Sequence, residues 1–188
     1  MNLIDWWMCW FRRAGVWHRT VPAEHSSAPS PDASPTASDL DMMSRALALA
    51  ARAASMGEIP VGAIVYRTSS GQVLGEGFNR REIDKDPSAH AEYLAIQAAC
   101  KATGDWRLND CTLVVTLEPC PMCAGLIVNA RVGRLVYGAS DPKAGAVRSL
   151  FQLADDPRLN HRARIIPGVR ADECSSLLRA FFKSLRAK

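Results

Sequence analysis

Two short motifs in the middle of the chain contain residue types that bind metals. The first is His90-Ala91-Glu92, and the second, Pro119-Cys120-Pro121-Met122-Cys123, follows about thirty residues later. Each motif lies at the predicted start of a helix. Two cysteines three residues apart in the first turn of a helix can point the same way, and the positive end of the helix dipole favours their thiolates. The second motif therefore predicts a metal or redox site.

The two motifs together favour a catalytic zinc site. If the two helix starts meet over a sheet, His90, Cys120 and Cys123 can supply three zinc ligands, which leaves one coordination position for water. Glu92 lies two residues from His90 and does not face the same way on a helix, so we do not expect it to be a ligand. It is free to accept a proton from water acidified by the metal and to pass that proton to a ring nitrogen and a leaving amine. This chemistry is hydrolytic deamination.

Two other classes of function use part of the same pattern. A Cys-x-x-Cys pair in an α/β chain is also typical of thiol oxidoreductases, but that interpretation leaves His90 and Glu92 without roles. A non-enzymatic RNA-binding module stabilised by zinc would use His90 and would not need Glu92. A zinc ribbon needs a second closely spaced pair of cysteines. Cys100, Cys111 and Cys174 do not supply one and are better interpreted as small core residues.

Helices and strands alternate around these motifs, which predicts an α/β fold built in layers. Apolar periodicity and turn residues predict strands over 61–66, 72–78, 111–117, 132–137 and 162–166. Helices are expected over 40–56, 89–102 and 121–130, with a short helix at Ser149–Leu153 and a basic amphipathic helix over 172–187.

The N-terminal residues have a different composition from the rest of the chain. Fourteen of the seventeen residues from 22 to 38 are Pro, Ala, Ser or Thr, which predicts a disordered linker. Four of the five tryptophans precede it. We expect residues 1–38 to be an extension outside a catalytic domain of residues 39–188. A mis-assigned start codon is a second explanation, because Met42 and Met43 lie where the domain begins.

Charge and hydropathy limit the partners and the location. Residues 131–188 contain twelve basic and five acidic side chains, a net charge of +7 within a total of +4. This asymmetry is typical of a polyanion-binding surface, and a solvated basic helix is the alternative. The sequence contains no run of eighteen apolar residues, so we predict no membrane-spanning helix. Six cysteines are too few for a disulfide scaffold, so we expect a cytoplasmic protein.

Both motifs resemble the signature of the zinc-dependent nucleobase deaminases, His-x-Glu followed by Pro-Cys-x-x-Cys. Within that superfamily the chain is similar to the bacterial tRNA-specific adenosine deaminases over residues 40–187. The Gly145-Ala146 loop, the Asn160-His161 pair and the basic C-terminal helix favour tRNA over free bases. The similarity runs through these segments: Ile59–Ala63, Gly75–Arg80, Asp86–Glu92, Thr116–Gly125, Asn129–Arg131, Tyr137–Lys143, Gly145-Ala146, Asn160–Arg162 and Asp172–Cys174.

The resemblance implies a fold, a reaction and a set of site residues. The expected fold is a three-layer α/β/α, cytidine-deaminase-like domain around a five-stranded mixed sheet, assembled as a homodimer. The expected reaction is conversion of the wobble adenosine in the anticodon stem-loop of an arginine tRNA to inosine. A free purine or cytosine deaminase of the same superfamily is the alternative. The resemblance assigns zinc (Zn2+, one per subunit) to His90, Cys120 and Cys123, proton transfer to Glu92, and substrate contacts to Asn79, Asp141, Asn160 and Phe182.

Overall fold

The computed structural model describes residues 34–186. Its first helix is α1 (Ala37–Ser55). A capping box begins it: the Thr36 hydroxyl accepts a hydrogen bond from the Asp39 N–H, and the Asp39 carboxylate accepts one from the Thr36 N–H. The helix therefore begins inside the segment 22–38 that was predicted to be a linker. The four N-terminal tryptophans and most of that predicted linker lie outside the described residues.

Five strands form one sheet in the order β2-β1-β3-β4-β5. Strand β1 is antiparallel to both β2 and β3, whereas β3, β4 and β5 run parallel to one another. The predicted five-stranded mixed sheet is confirmed. The strands are β1 (Gly62–Arg67), β2 (Val73–Phe78), β3 (Cys111–Leu117), β4 (Arg134–Ala139) and β5 (Arg164–Ile166).

Helices cover both faces of the sheet, which gives the three layers. Side chains alternate along β3, so Val115 packs on the face covered by α3 (Ala91–Thr103) and α4 (Pro121–Asn129), and Val114 packs on the opposite face. That opposite face is covered by α1 and α5 (Ala171–Arg186). Since both faces are buried, β3 is an almost continuous apolar run.

A glycine in β2 lets the site-bearing helix α3 lie directly on the sheet. A Cβ added at Gly77 would be 2.4 Å from the Ala91 carbonyl oxygen, closer than any side chain allows. The first turn of α3 is therefore held tightly against β2. This contact sets the position of the residues that begin α3.

The predicted helix at Ser149–Leu153 is wrong, because Ser149 ends a turn, residue 150 lies in a bend, and residues 151–153 have no regular secondary structure. The N–H groups of Arg148 and Ser149 donate to the Glu118 carboxylate, and the Leu150 N–H donates to the Gly145 carbonyl, so the hydrogen-bond ladder of a helix does not form. A short helix that was not predicted, α2 (Arg81–Asp84), follows β2 and precedes the His90 motif.

Candidate active site

The three predicted ligands come together at the starts of two helices. His90 is the N-cap of α3 and Cys120 is the N-cap of α4, where Pro121 occupies the first helical position. Cys123 follows in the same first turn of α4. His90 Nδ1 lies 3.7 Å from Cys120 Sγ and 3.5 Å from Cys123 Sγ. Two helix N-termini therefore bring one imidazole and two sulfur atoms together.

These three side chains fit a tetrahedral zinc ion. Zn–S bonds near 2.3 Å and Zn–N bonds near 2.0 Å place neighbouring ligand atoms about 3.5–3.8 Å apart. The two distances from His90 Nδ1 fall in that range, and all three ligand atoms lie within 4.8 Å of one another. Among the described residues, this group is the set of His, Cys, Asp and Glu side chains that meets the distance requirement for a metal site.

The charges of the two cysteines also favour a cation. Hydrogen bonds from Cys123 and from His90 lower the pKa of Cys120 to about 4, so its thiolate is the stable form. The hydrogen bond that Cys123 donates to this thiolate, together with burial, raises the pKa of Cys123. The pair therefore shares one proton, and a divalent cation is what allows both sulfur atoms to be thiolates at once.

Glu92 lies beside the ligands without joining them. Its side chain is 4% exposed, and burial raises its pKa above the ordinary value for a glutamate, although the positive charge of His90 opposes this effect. A carboxyl group whose pKa is raised towards neutral pH can both accept and donate a proton. Glu92 therefore has the environment of a general acid and base.

A cavity of about 260 Å³ opens over these groups. The predicted substrate residues Asn79 and Asp141 line it together with His90, Glu92 and Cys120. The apolar walls come from Ile59, Val61 and Leu117. A few polar groups converging in a small, partly apolar cavity is the usual form of a site for a small planar ligand.

Asn79 is held in place by a residue that the sequence did not indicate. Its side-chain amide donates a 2.9 Å hydrogen bond to Glu58, whose other carboxylate oxygen accepts the N–H of Ile83 in α2. Glu58 is 1% exposed and Asn79 is 5% exposed. The only sequence signal for Glu58 is an acidic residue directly before the apolar run that begins at Ile59.

A second buried carboxylate, Glu118, lies directly after β3 and binds the backbone of the loop from Asp141 to Ser149. The Asp141 side chain accepts hydrogen bonds from the N–H groups of Lys143 and Ala144 in the same loop. The sequence analysis missed Glu118 too. An acidic residue that ends a buried apolar strand is the signal that could have found it.

The other two predicted substrate residues lie outside the cavity. Asn160 accepts a 2.7 Å hydrogen bond from Arg131 and borders a surface depression beside α4. Phe182 is 42% exposed on α5, while its neighbour Phe181 is buried, as expected for adjacent residues on a helix. Phe182 lines a groove together with three basic side chains of α5 and with Lys143 of the loop over residues 141–149. The basic side chains of α5 are Arg179, Lys183 and Arg186.

A match to a family of known proteins agrees with this geometry. The sequence model of the MafB19-like deaminase family matches residues 37–186, which include every described element of the fold. The fold and the metal-binding group together therefore define a deaminase.

Comparisons with individual proteins narrow the class. The chain is 46% identical to a tRNA-specific adenosine deaminase of Bacillus subtilis over 78% of this chain and 89% of that protein. It is 47% identical to a tRNA-specific adenosine deaminase of Haemophilus influenzae over 77% of this chain and 83% of that protein. A solved structure from a study of A-to-I editing by tRNA:A34 deaminases matches with a TM-score of 0.70 and 40% identity, covering 73% of this chain and 99% of that one. The chain belongs to the tRNA-specific adenosine deaminase family.

Proposed function

We propose that the chain hydrolytically deaminates adenosine to inosine at the wobble position of a tRNA anticodon, with an arginine tRNA as its substrate. The observation that carries this proposal is that Glu92 and Asn79 line one cavity with His90 and Cys120, which form a candidate metal-binding group with the buried Cys123. Similarity to proteins named tRNA-specific adenosine deaminases supports the choice of substrate.

In the proposed mechanism, His90, Cys120 and Cys123 would hold one zinc ion per subunit. A zinc ion with three protein ligands can bind a water molecule and lower the pKa of that water. Glu92 would accept one proton from the attacking water and deliver it to the adenine ring nitrogen next to the amino-bearing carbon. It would then take the second proton from the hydroxyl group now attached to that carbon and give it to the amine, so that a C=O bond forms as the C–N bond breaks and ammonia leaves. Water and adenosine are consumed, and inosine and ammonia are formed.

We propose that the anticodon stem-loop lies across the cavity and the adjoining α5 groove. Unpaired bases of an RNA loop can be turned outward into a pocket while basic side chains hold the phosphates. In this arrangement Asn79 holds the base, Asp141 and Asn160 lie near the loop backbone, and Phe182 contacts a neighbouring base. Lys143 supports the arrangement because it lies two residues after Asp141, which lines the cavity, and itself lines the α5 groove.

We further propose a homodimer formed through helices α3 and α4. An apolar surface groove of about 270 Å³ lies between these helices, and its walls include Tyr93, Ile96 and Leu126. Trp106 borders the groove with 51% of its surface exposed. The ligands begin the same two helices, so a second copy in this groove would adjoin the active site.

No helix within residues 34–186 is long and apolar enough to cross a membrane. We propose a cytoplasmic enzyme whose catalytic domain consists of residues 39–188. The N-cap of α1 extends this domain to Thr36, and the residues before it lie outside the proposed domain.

Inosine formation in purified tRNA tests the proposed function. The full chain with zinc is assayed on arginine tRNA, on other tRNAs, and on free adenine, adenosine, guanine and cytosine. Inosine at the wobble position of arginine tRNA supports the proposal. Faster deamination of a free base would assign the alternative deaminase activity, and thiol–disulfide exchange without deamination would assign a redox role.

A further inference from the structure

The Glu118 carboxylate organises a loop that is distant in sequence. One of its oxygens accepts the N–H groups of Val147, Arg148 and Ser149, at 3.1, 2.7 and 2.9 Å. The other accepts the Asp141 N–H at 3.0 Å and the Ser149 hydroxyl. Five donors from a nine-residue loop therefore meet a single side chain that is 2% exposed.

The loop from Asp141 to Ser149 has no helix or strand of its own, so its shape depends on these hydrogen bonds, together with one from the Ala146 N–H to the Pro119 carbonyl and a few within the loop. It fits tightly around the carboxylate. A Cβ added at Gly145 would lie 2.5 Å from the Glu118 carboxyl carbon and 2.6 Å from the Asp141 carbonyl oxygen. Only a glycine allows the loop backbone to approach Glu118 this closely.

The same loop connects the two surfaces that the substrate is proposed to contact. Asp141 and Ala144 form part of the cavity wall, and Lys143 lines the groove beside Phe182. Glu118 itself follows β3 and comes two residues before Cys120, so it belongs to the rigid strand end that also carries a ligand. The carboxylate thus links the loop to the part of the fold that holds the reacting groups.

We propose that Glu118 is a positioning residue for the substrate: it holds the 141–149 loop in the shape that receives the anticodon-loop backbone. This inference rests on the proposed function. A glutamine cannot replace Glu118, because its NH2 group would face donors where the carboxylate presents an acceptor. A loop released in this way would weaken binding of RNA and leave the groups around the zinc in place.

Two variants test the inference from opposite sides of the contact, Glu118→Gln on the strand and Gly145→Ala on the loop. Both should raise KM for tRNA by on the order of tenfold or more, with a smaller change in kcat, because the released loop loses binding that is equal in the ground state and the transition state, and a tenfold change corresponds to about 1.4 kcal/mol. Both should keep zinc, and both should speed hydrogen exchange at the amides of residues 141 and 147–149. The double variant should raise KM little more than either single variant does, since all three variants lose the same contact.

A matched control separates positioning from general destabilisation. Asp39→Asn disrupts a buried carboxylate on the other face of the sheet, as Glu118→Gln does beside the cavity. This control should lower stability and leave KM unchanged.

Unchanged loop exchange, or a KM within about twofold of wild type in both test variants, overturns the inference. Loss of zinc in both test variants also overturns it, because Glu118 would then act through the metal site. If the wild-type chain forms no inosine in tRNA, the proposed function fails, while hydrogen exchange, which needs no substrate, still decides whether Glu118 holds the loop.

Discussion

His90 and Cys120 occupy equivalent positions on different helices: each is the N-cap residue, and the His90 Nδ1 and Cys120 Sγ atoms lie 3.7 Å apart. Neither side chain caps its own helix with a hydrogen bond. Both are therefore available to a metal, and the positive ends of the two helix dipoles stabilise the thiolates beside them.

Substitutions of the proposed zinc ligands and of Glu92 should have different effects on metal content. His90→Ala or Cys123→Ala should lose most of the zinc, because two ligands hold it poorly. Glu92→Ala should retain zinc and lose activity by on the order of 10²–10⁴-fold or more. Metal content by mass spectrometry and inosine formation measure the two effects. Near-normal deamination by Glu92→Ala would contradict the mechanism.

The basic face of α5 should bind tRNA electrostatically. Reversing the charges at Arg179, Lys183 and Arg186 should weaken tRNA binding without changing zinc content, because all three line the groove beside Phe182. Each lost phosphate contact should reduce the slope of log affinity against log salt by roughly 0.7. Lys101→Glu is the matched control for Lys183→Glu, because Lys101 is an exposed lysine on α3. Equal effects of the two single reversals across a salt series would mean that the α5 charges are only solvated.

Trp106 should contribute to the dimer interface. Trp106→Asp places a charge at the edge of the apolar groove on α3 and α4, so it should shift the protein towards monomer. Leu40→Asp is the control, because Leu40 is similarly exposed (45%) in the first turn of α1. Light scattering after size-exclusion chromatography measures the mass. A monomeric wild-type protein would contradict this interface. So would a dimer that remains intact in Trp106→Asp but dissociates in Leu40→Asp.

The N-terminal boundary can be placed by two deletions. A protein that begins at Ser34 should fold and deaminate like the full chain, because it keeps the Thr36–Asp39 capping box. A protein that begins at Ser38 should lose about 1 kcal/mol of stability with the cap. Urea denaturation and the inosine assay compare the two. If removal of residues 1–33 abolishes activity, the catalytic domain extends further towards the N-terminus than proposed.

Asp39 should make the stability of the fold depend on acid pH. Burial alone raises the pKa of Asp39, but hydrogen bonds from Arg134, Tyr66 and Thr36 outweigh burial and hold the pKa below the ordinary 3.8. The unfolded chain therefore takes up this proton first as the pH falls, so the stabilisation is complete above 3.8 and disappears as the pH drops through the lower folded value.

The corresponding variant is Asp39→Asn. At neutral pH it should lower the free energy of unfolding by about 3 kcal/mol, because the Arg134 charge loses its buried partner. The difference from wild type should shrink as the pH falls below 3.8. Urea denaturation at several pH values measures it, and a difference that is constant with pH would show that Asp39 does not carry this charge.

The elements of the fold were predictable where the local pattern is strong. The periodicity of α1 and the apolar run of β3 each specify an element without information from elsewhere in the chain. The helix expected at Ser149–Leu153 does not form, because the Leu153 N–H donates to the Ala146 carbonyl instead of to Ser149, while Glu118, some thirty residues earlier, binds the amides of Arg148 and Ser149. A local pattern cannot report a competing acceptor that is distant in sequence.

The site divides in the same way. The sequence by itself determined the candidate metal-binding group and singled out Glu92, because His90 and Glu92 form one local motif, Cys120 and Cys123 form another, and the expected chemistry follows from residue type and spacing. Only the tertiary structure decided which residues hold the side chains proposed to face the substrate. Glu58 reaches Asn79 across 21 positions and Glu118 reaches Ser149 across 31, and such contacts exist only once the sheet has brought the segments together. The packing of α3 and α4 on that sheet also set the distances that turn two motifs into one site.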